Sequence, residues 1–277
     1  MGLFNILDPV FAAIFNPLVS IGHFWAILLL AFLVTLMITL FYKFFTDQKE
    51  MKSLKDQQKK LSAEMKQYRK DPSKAMKIQK QLMEINTKYM KHSFKSTFYT
   101  IIPIIIIFGW ANAHLANFPL VVDEEFNVTA NFEKDVFGDV MLEVPEGLEI
   151  LSDSTKTIEN KLATWTLKGK AGDYMLAYKL GENYIQTKRI IIGDPIEYAQ
   201  SMKRKSSFFE KIFLIVYSAP EGYMQSTSPF TRITIQQRPV KPMGNLSIFG
   251  WHPGWLGTYI LLSIIFSMAL RKAFKVY

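Results

Sequence analysis

From Phe24 to Phe41 the chain carries no charge, and only Thr35 and Thr39 interrupt an apolar series. With its flanks this run is long enough to cross a hydrocarbon core of about 30 Å. Two more runs of similar length follow. One is Phe98 to Ala116, where Pro103 predicts a kink and Gly109, Asn112 and His114 gather toward the far end. The other is Trp255 to Leu270, which stops at Arg271 and Lys272. Three membrane-crossing helices are therefore the first expectation.

What separates the first two runs has the opposite character. Lys43 to Lys95 holds 15 basic residues against six acidic ones, an excess as large as the whole chain's net charge of +9. So basic a balance would suit nucleic acid. Its place between two apolar runs is explained instead by the preference of cytoplasmic loops for Lys and Arg. Inside the stretch, Met51, Leu54, Gln58, Leu61, Met65 and Tyr68 recur at spacings of three and four, the seam of a helix packed on one partner. Asp71-Pro72-Ser73 ends the pattern, with Asp71 placed to cap a second helix and Pro72 suited to its first turn. The second seam is Ala75, Ile78, Leu82, Ile85 and Tyr89. Two such helices joined by a tight turn read as a cytoplasmic antiparallel coiled-coil hairpin, roughly 30 Å long.

Beside the second seam, Met76, Met83 and Met90 repeat every seven residues. An uncovered row of flexible, polarisable Met side chains suits capture of varied apolar partners. Filling the flank of the coiled coil, or touching lipid headgroups, is the plainer alternative. Lys59, Lys60, Lys66, Arg69 and Lys70 are the candidates for contact with a ribosome or with lipid.

The basic excess sets the expected topology. No Lys or Arg precedes Lys43, so the charged head of a signal peptide is missing, and the N-terminus is expected outside the cytoplasm. Arg271 and Lys272 place the C-terminus inside. The expected organisation is an interfacial segment over 1–22, with a helix starting near Asp8-Pro9, then a first crossing over 23–45 and the hairpin over 46–95. A second crossing (96–118), an extracytoplasmic domain (119–250), a third crossing (251–272) and a cytoplasmic tail (273–277) complete it. The class is thus an α-helical integral membrane protein of the cell membrane with an added β-sandwich.

The outer domain is nearly neutral, with 17 acidic and 15 basic residues between Pro119 and Met243. Strand patterns cover Phe126–Phe132, Val136–Val144, Ala163–Gly169, Asp173–Leu180 and Asn183–Ile192, with turns at residues 169–172 and at Gly181-Glu182. An immunoglobulin-like sandwich is the expected form. Lys203-Arg204-Lys205 lies in this domain, where the charge rule does not reach, because long domains cross largely regardless of charge. Asn127-Val128-Thr129 and Asn245-Leu246-Ser247 fit the glycosylation acceptor pattern weakly.

Residues for catalysis do not assemble. The sequence holds no phosphate-binding glycine loop, zinc-protease helix or nucleophile elbow. His23, His92, His114 and His252 are dispersed without metal-ligand spacing, and there is no cysteine. The expectation is a protein that is not an enzyme, with no catalytic residue, metal or cofactor. More telling are Tyr259, Ser263, Ser267 and Arg271, which recur every four residues on the third crossing, and Thr35, Thr39 and Lys43 on the first. If these polar faces meet they line a hydrophilic groove open to the cytoplasm. Close helix packing through small hydroxyl residues is the alternative.

The run TDQKEMKSLKDQQKKLSAEMKQYRKDPSKAMKIQKQLMEINTKYMKHSFKSTFYTIIPIIIIFGWANAHLA resembles the coiled coil and second membrane helix of archaeal YidC-like proteins, and GWHPGWLGTYILLSIIFSMALRKAFKVY resembles their last crossing. These belong to the Oxa/YidC/Alb insertase superfamily, to which the eukaryotic Get-pathway receptor and the insertase subunit of the endoplasmic-reticulum membrane complex are distantly related. The resemblance implies a membrane-protein insertase that works without nucleotide. Its partners would be nascent membrane proteins, the ribosome and membrane lipids. Bacterial members place an arginine within the groove and have five core crossings. Here Lys43, Lys95 and Arg271 stand only at helix ends, so the groove is hydrophilic rather than electropositive, and a partner subunit or homodimer would complete it. A cation channel built by an oligomer is the rival reading, although the membrane helices hold no Asp or Glu to form a selectivity ring. A ligand sensor signalling through the coiled coil ranks third, since it calls for an output domain after Arg271.

Overall fold

The computed structural model describes residues 3–68, 71–193, 199–206, 221–248 and 250–276. Four helices come first: α1 (Leu3–Ile21), α2 (His23–Phe45), α3 (Gln48–Gln67) and α4 (Pro72–Leu115). Nine strands follow, and α5 (Trp255–Phe274) comes last among the described elements. Three stretches are long and apolar enough to cross a membrane: His23–Phe45, Thr97–Leu115 and Trp255–Phe274. These match the three expected runs.

The chain divides into two compact units, one of Met1–Ile27 with Ile105–Thr258 and one of Leu28–Ile104 with Tyr259–Tyr277. In the second unit, local chemistry sets where α3 and α4 begin. The Asp47 carboxylate accepts from the backbone N–H of Lys49 at 2.9 Å and of Glu50 at 3.1 Å, occupying donors that the first turn of α3 leaves free. Asp71 accepts from the Lys74 N–H at 3.2 Å, and Pro72 takes the first position of α4, as its fixed φ favours. Met51 and Leu54 of α3 and Ile78 of α4 are buried, and Leu61, Met65, Leu82, Ile85 and Tyr89 are half-buried.

Three sequence expectations change. Tyr68 is exposed and stands at the C-cap of α3 rather than in its seam, 5.0 Å from the Lys74 ammonium. α1 begins at Leu3, not at Asp8-Pro9, so Pro9 and Pro17 both lie inside it. Two missing N–H donors are tolerated because Phe11 and Phe15 pack on Trp110, at 5.5 and 5.1 Å between ring centroids. The second hairpin arm and the second crossing are one helix, α4, with the expected 95/96 boundary in its middle.

In the first unit the strands are β1 (Phe126–Phe132), β2 (Asp139–Glu143), β3 (Leu148–Ile150), β4 (Thr155–Thr157) and β5 (Leu162–Gly169), then β6 (Gly172–Leu180), β7 (Tyr184–Ile192), β8 (Met202–Arg204) and β9 (Phe230–Ile235). They form two antiparallel sheets, ordered β3-β5-β1-β9-β8 and β4-β2-β6-β7. Period-two alternation makes each strand half-buried: Val128, Trp165 and Ile233 from one sheet meet Leu142, Leu176, Tyr178 and Ile190 from the other in a single core. Trp165 and Tyr178 meet edge to face at 5.6 Å, and the Trp165 indole N–H donates to the Ser154 carbonyl at 2.9 Å. The segments entering and leaving this domain are tied together, the Phe118 N–H to Arg238 O and the Val240 N–H to Ala116 O.

Candidate functional site

The three Met residues form an exposed apolar row on α4. Met76, Met83 and Met90 are 71, 60 and 54% exposed, while Ile78, two positions from Met76, is buried. The seam thus consumes one face of the helix and leaves the Met row outside it. Across the seam, Gln58 donates to the Asn86 side-chain carbonyl, and His92 Nε2 stands 3.1 Å from Glu50 Oε1. Lys59, Lys60 and Lys66 are exposed and, among the described residues, have no carboxylate in ion-pair contact. Arg69 and Lys70 lie outside the described residues.

The Asp47 cap has a pH dependence. The Glu50 and Lys49 amides hold its carboxyl below the ordinary carboxylate range. A depressed folded-state pKa stabilises the hairpin above the unfolded value of about 3.9, and the benefit disappears as pH falls through the folded value. Circular dichroism melting is expected to show an acid-sensitive loss in the wild type that exceeds the loss in Asp47→Asn. Equal acid sensitivity in both would remove the cap from the account.

Within the second unit the ends of α2 and α5 come together. The Arg271 guanidinium lies 5.5 Å from the Tyr42 ring, the Lys43 ammonium 5.5 Å from the Phe274 ring, and Phe32 meets Phe266 at 5.5 Å. Tyr42 Oη lies 3.3 Å from Ser93 Oγ and 3.4 Å from Tyr89 Oη. Lys43 and Arg271 are therefore gathered at one end. Farther along, Thr35 and Thr39 are buried and the Thr39 hydroxyl donates to Thr35 O at 2.7 Å. On α5, Tyr259 is buried, Ser263 and Ser267 are half-buried, and the Ser263 hydroxyl donates to Ile260 O at 2.9 Å. The hydroxyls of Thr39 and Ser263 are thus held on their own helices rather than on a partner.

One buried polar cluster has no counterpart among the sequence expectations. Lys188 on β7 is 0% exposed, and its ammonium donates to Glu221 and, at 2.6 Å, to Arg189 O. Glu221 also accepts from the Arg189 N–H at 3.2 Å, while the Lys203 ammonium donates to Thr187 O at 2.9 Å. Burial pulls the pKa values of Lys188 and Lys203 down, opposed in each case by the Glu221 carboxylate. Burial pushes the Tyr178 hydroxyl up, with Glu221 adding to it. Among the described residues β7 is the last strand of its sheet, and these side chains bond backbone groups along its outer side. Lys188 shares the inward parity of Ile190 and Ile192, a signal present in the sequence; its distant partner leaves none.

A chain with three such spans is a multi-pass membrane protein. Residues 6–134, just under half of its length, match the family described as integral membrane protein EMC3/TMCO1-like. No curated protein and no solved structure matches the chain.

Proposed function

We propose that this protein is a membrane-protein insertase of the archaeal YidC-like kind, which captures apolar segments of nascent chains and passes them into the bilayer without nucleotide hydrolysis. The observation that carries this reading is the exposed Met row on a helix that continues unbroken into a membrane span. The EMC3/TMCO1-like family matched by residues 6–134 is part of the Oxa1/YidC/Alb3/EMC3 insertase superfamily, which supports the same conclusion.

In this reading α3 and the first part of α4 form a cytoplasmic antiparallel coiled coil, and the basic excess between Lys43 and Lys95 fixes its side of the cell membrane. The N-terminus and the β-domain are extracytoplasmic and the C-terminus is cytoplasmic. Lys59, Lys60 and Lys66 meet the ribosome or lipid, and Met76, Met83 and Met90 make first contact with the client. The client then moves along Thr35, Thr39, Lys43, Tyr259, Ser263, Ser267 and Arg271. A polar lining lowers the cost of carrying a short polar flank across, and partition of about 20 apolar residues into lipid drives the reaction. A partner subunit or second copy completes the groove. The β-domain is read as immunoglobulin-like: β3-β5-β1 facing β2-β6-β7 reproduces the D-E-B and C-F-G strand neighbours, with β9 in the place of strand A.

The test is photocrosslinking from Met83 and Ser263 to stalled ribosomes displaying either a transmembrane segment or a soluble chain. Adducts at both positions with the apolar client alone are expected. Absence of adducts at both, together with ion flux in reconstituted vesicles, would replace the insertase by a channel.

A further inference from the structure

The chain holds no cysteine, so its oxidisable sulfur is all thioether, carried by 13 methionines. In the hairpin the fold divides them sharply. Met76, Met83 and Met90 are each more than half exposed, whereas Met51 in the seam is fully buried and Met65 is half-buried. Seven residues advance a helix by close to two turns, so the three exposed side chains share one face of α4. Elsewhere, Met37 and Met268 lie in membrane spans, and five more methionines lie between the second and third spans. Among the described residues of the hairpin, the Met row is therefore the accessible sulfur, and the sulfur that holds the seam is sealed.

We propose that Met76, Met83 and Met90 are a site of reversible oxidation, at which hydrogen peroxide turns the row polar and stops client capture. In the step, a thioether lone pair attacks one peroxide oxygen. The O–O bond breaks as the S–O bond forms, sulfur is oxidised by two electrons, and the other oxygen takes a proton and leaves as water. A sulfoxide replaces a flexible apolar side chain by a polar one. Covering it costs a hydrated oxygen its water, and an apolar segment offers no hydrogen bond in return. Met51 stays reduced in the seam, so capture is lost while the fold is kept. Reversal takes a sulfoxide reductase and two thiols: the thiols are oxidised to a disulfide, the sulfoxide oxygen leaves as water and the thioether returns. The cytoplasmic side, where the topology proposed above puts the hairpin, keeps such thiols reduced. The inference rests on the capture role proposed for the row.

The experiment treats the full chain in lipid nanodiscs with hydrogen peroxide, maps sulfoxides by peptide mass spectrometry, and measures crosslinking to a synthetic transmembrane segment that carries a photoreactive residue. Sulfoxide at the three positions is expected to form at least about tenfold faster than at Met51, whose sulfur is reached only when the seam opens. Capture is expected to fall about 100-fold, the loss of the row's apolar contact, and to return when methionine sulfoxide reductases A and B are added with a dithiol. Met76→Leu, Met83→Leu and Met90→Leu together set their own starting level of capture, which the oxidant is expected to leave where it was. Met141→Leu, Met175→Leu and Met268→Leu together are expected to keep the full response to oxidant. Oxidation of Met51 as fast as the row, capture that survives complete oxidation of the row, or an equal loss in the row's Leu variant would each overturn the inference. Absence of capture before any oxidant is added would overturn instead the capture role on which the switch depends, and the sulfoxide positions would still decide whether the row is the reactive sulfur.

Discussion

Replacing Met76, Met83 and Met90 together by Ser is expected to weaken capture of an apolar client about 100-fold. Complete burial of one Met contributes about 1.5–3 kcal/mol, and side chains that start more than half exposed and become partly covered yield about 1 kcal/mol each. Three make about 3 kcal/mol, or roughly two decades in affinity. The hairpin itself should keep its stability, because Met51, Leu54 and Ile78 hold the seam and the Met row lies outside it. Triple substitution by Leu preserves apolar area and is expected to retain most of the capture. Crosslinking yield against client concentration reads both variants, and full capture by the Ser variant would sink the role assigned to the row.

The second large effect belongs to the β-domain. Glu221→Ala removes the carboxylate partner of an ammonium with no exposure, and breaking a buried pair from one side costs about 3–5 kcal/mol. Removing both charges, as Lys188→Met with Glu221→Leu, is expected to cost far less, because no unpaired ion remains. Pulse proteolysis of the full chain in urea, following fragments of residues 126–192, measures the difference. Equal destabilisation by the single and double changes would mean that packing, not charge pairing, governs the site.

The membrane helices are legible in the sequence because lipid admits few solutions, so hydropathy and length alone mark His23–Phe45, Thr97–Leu115 and Trp255–Phe274. The five longer strands with alternating residues in the first part of the β-domain are legible for a similar reason. β3, β4 and β8 are not, since three residues carry too little alternation to register. β9 escapes because Arg232 and two Thr thin its apolar pattern. The start of α1 is misplaced by a local rule: proline favours a first turn, and packing of Phe11 and Phe15 on Trp110 overrides it. Of the site, the Met row and the terminal cations follow from spacing. The resting partners of the hydroxyls do not, because Thr and Ser bond their own helix or a neighbour with equal ease.

Those resting partners change what a hydrophilic path through a membrane means. Thr39 keeps its hydroxyl on Thr35 O and Ser263 on Ile260 O; Thr97 and Thr100 do likewise on Ser93 O and Thr97 O. Each carbonyl already serves its helix, so the extra bond is worth about 1 kcal/mol or less and is readily exchanged. Toward lipid such a wall is silent, with no dangling donor to solvate. In the proposed groove, a passing polar group would find there a reserve of exchangeable hydrogen bonds, turned outward on its arrival and restored to the helix when it leaves.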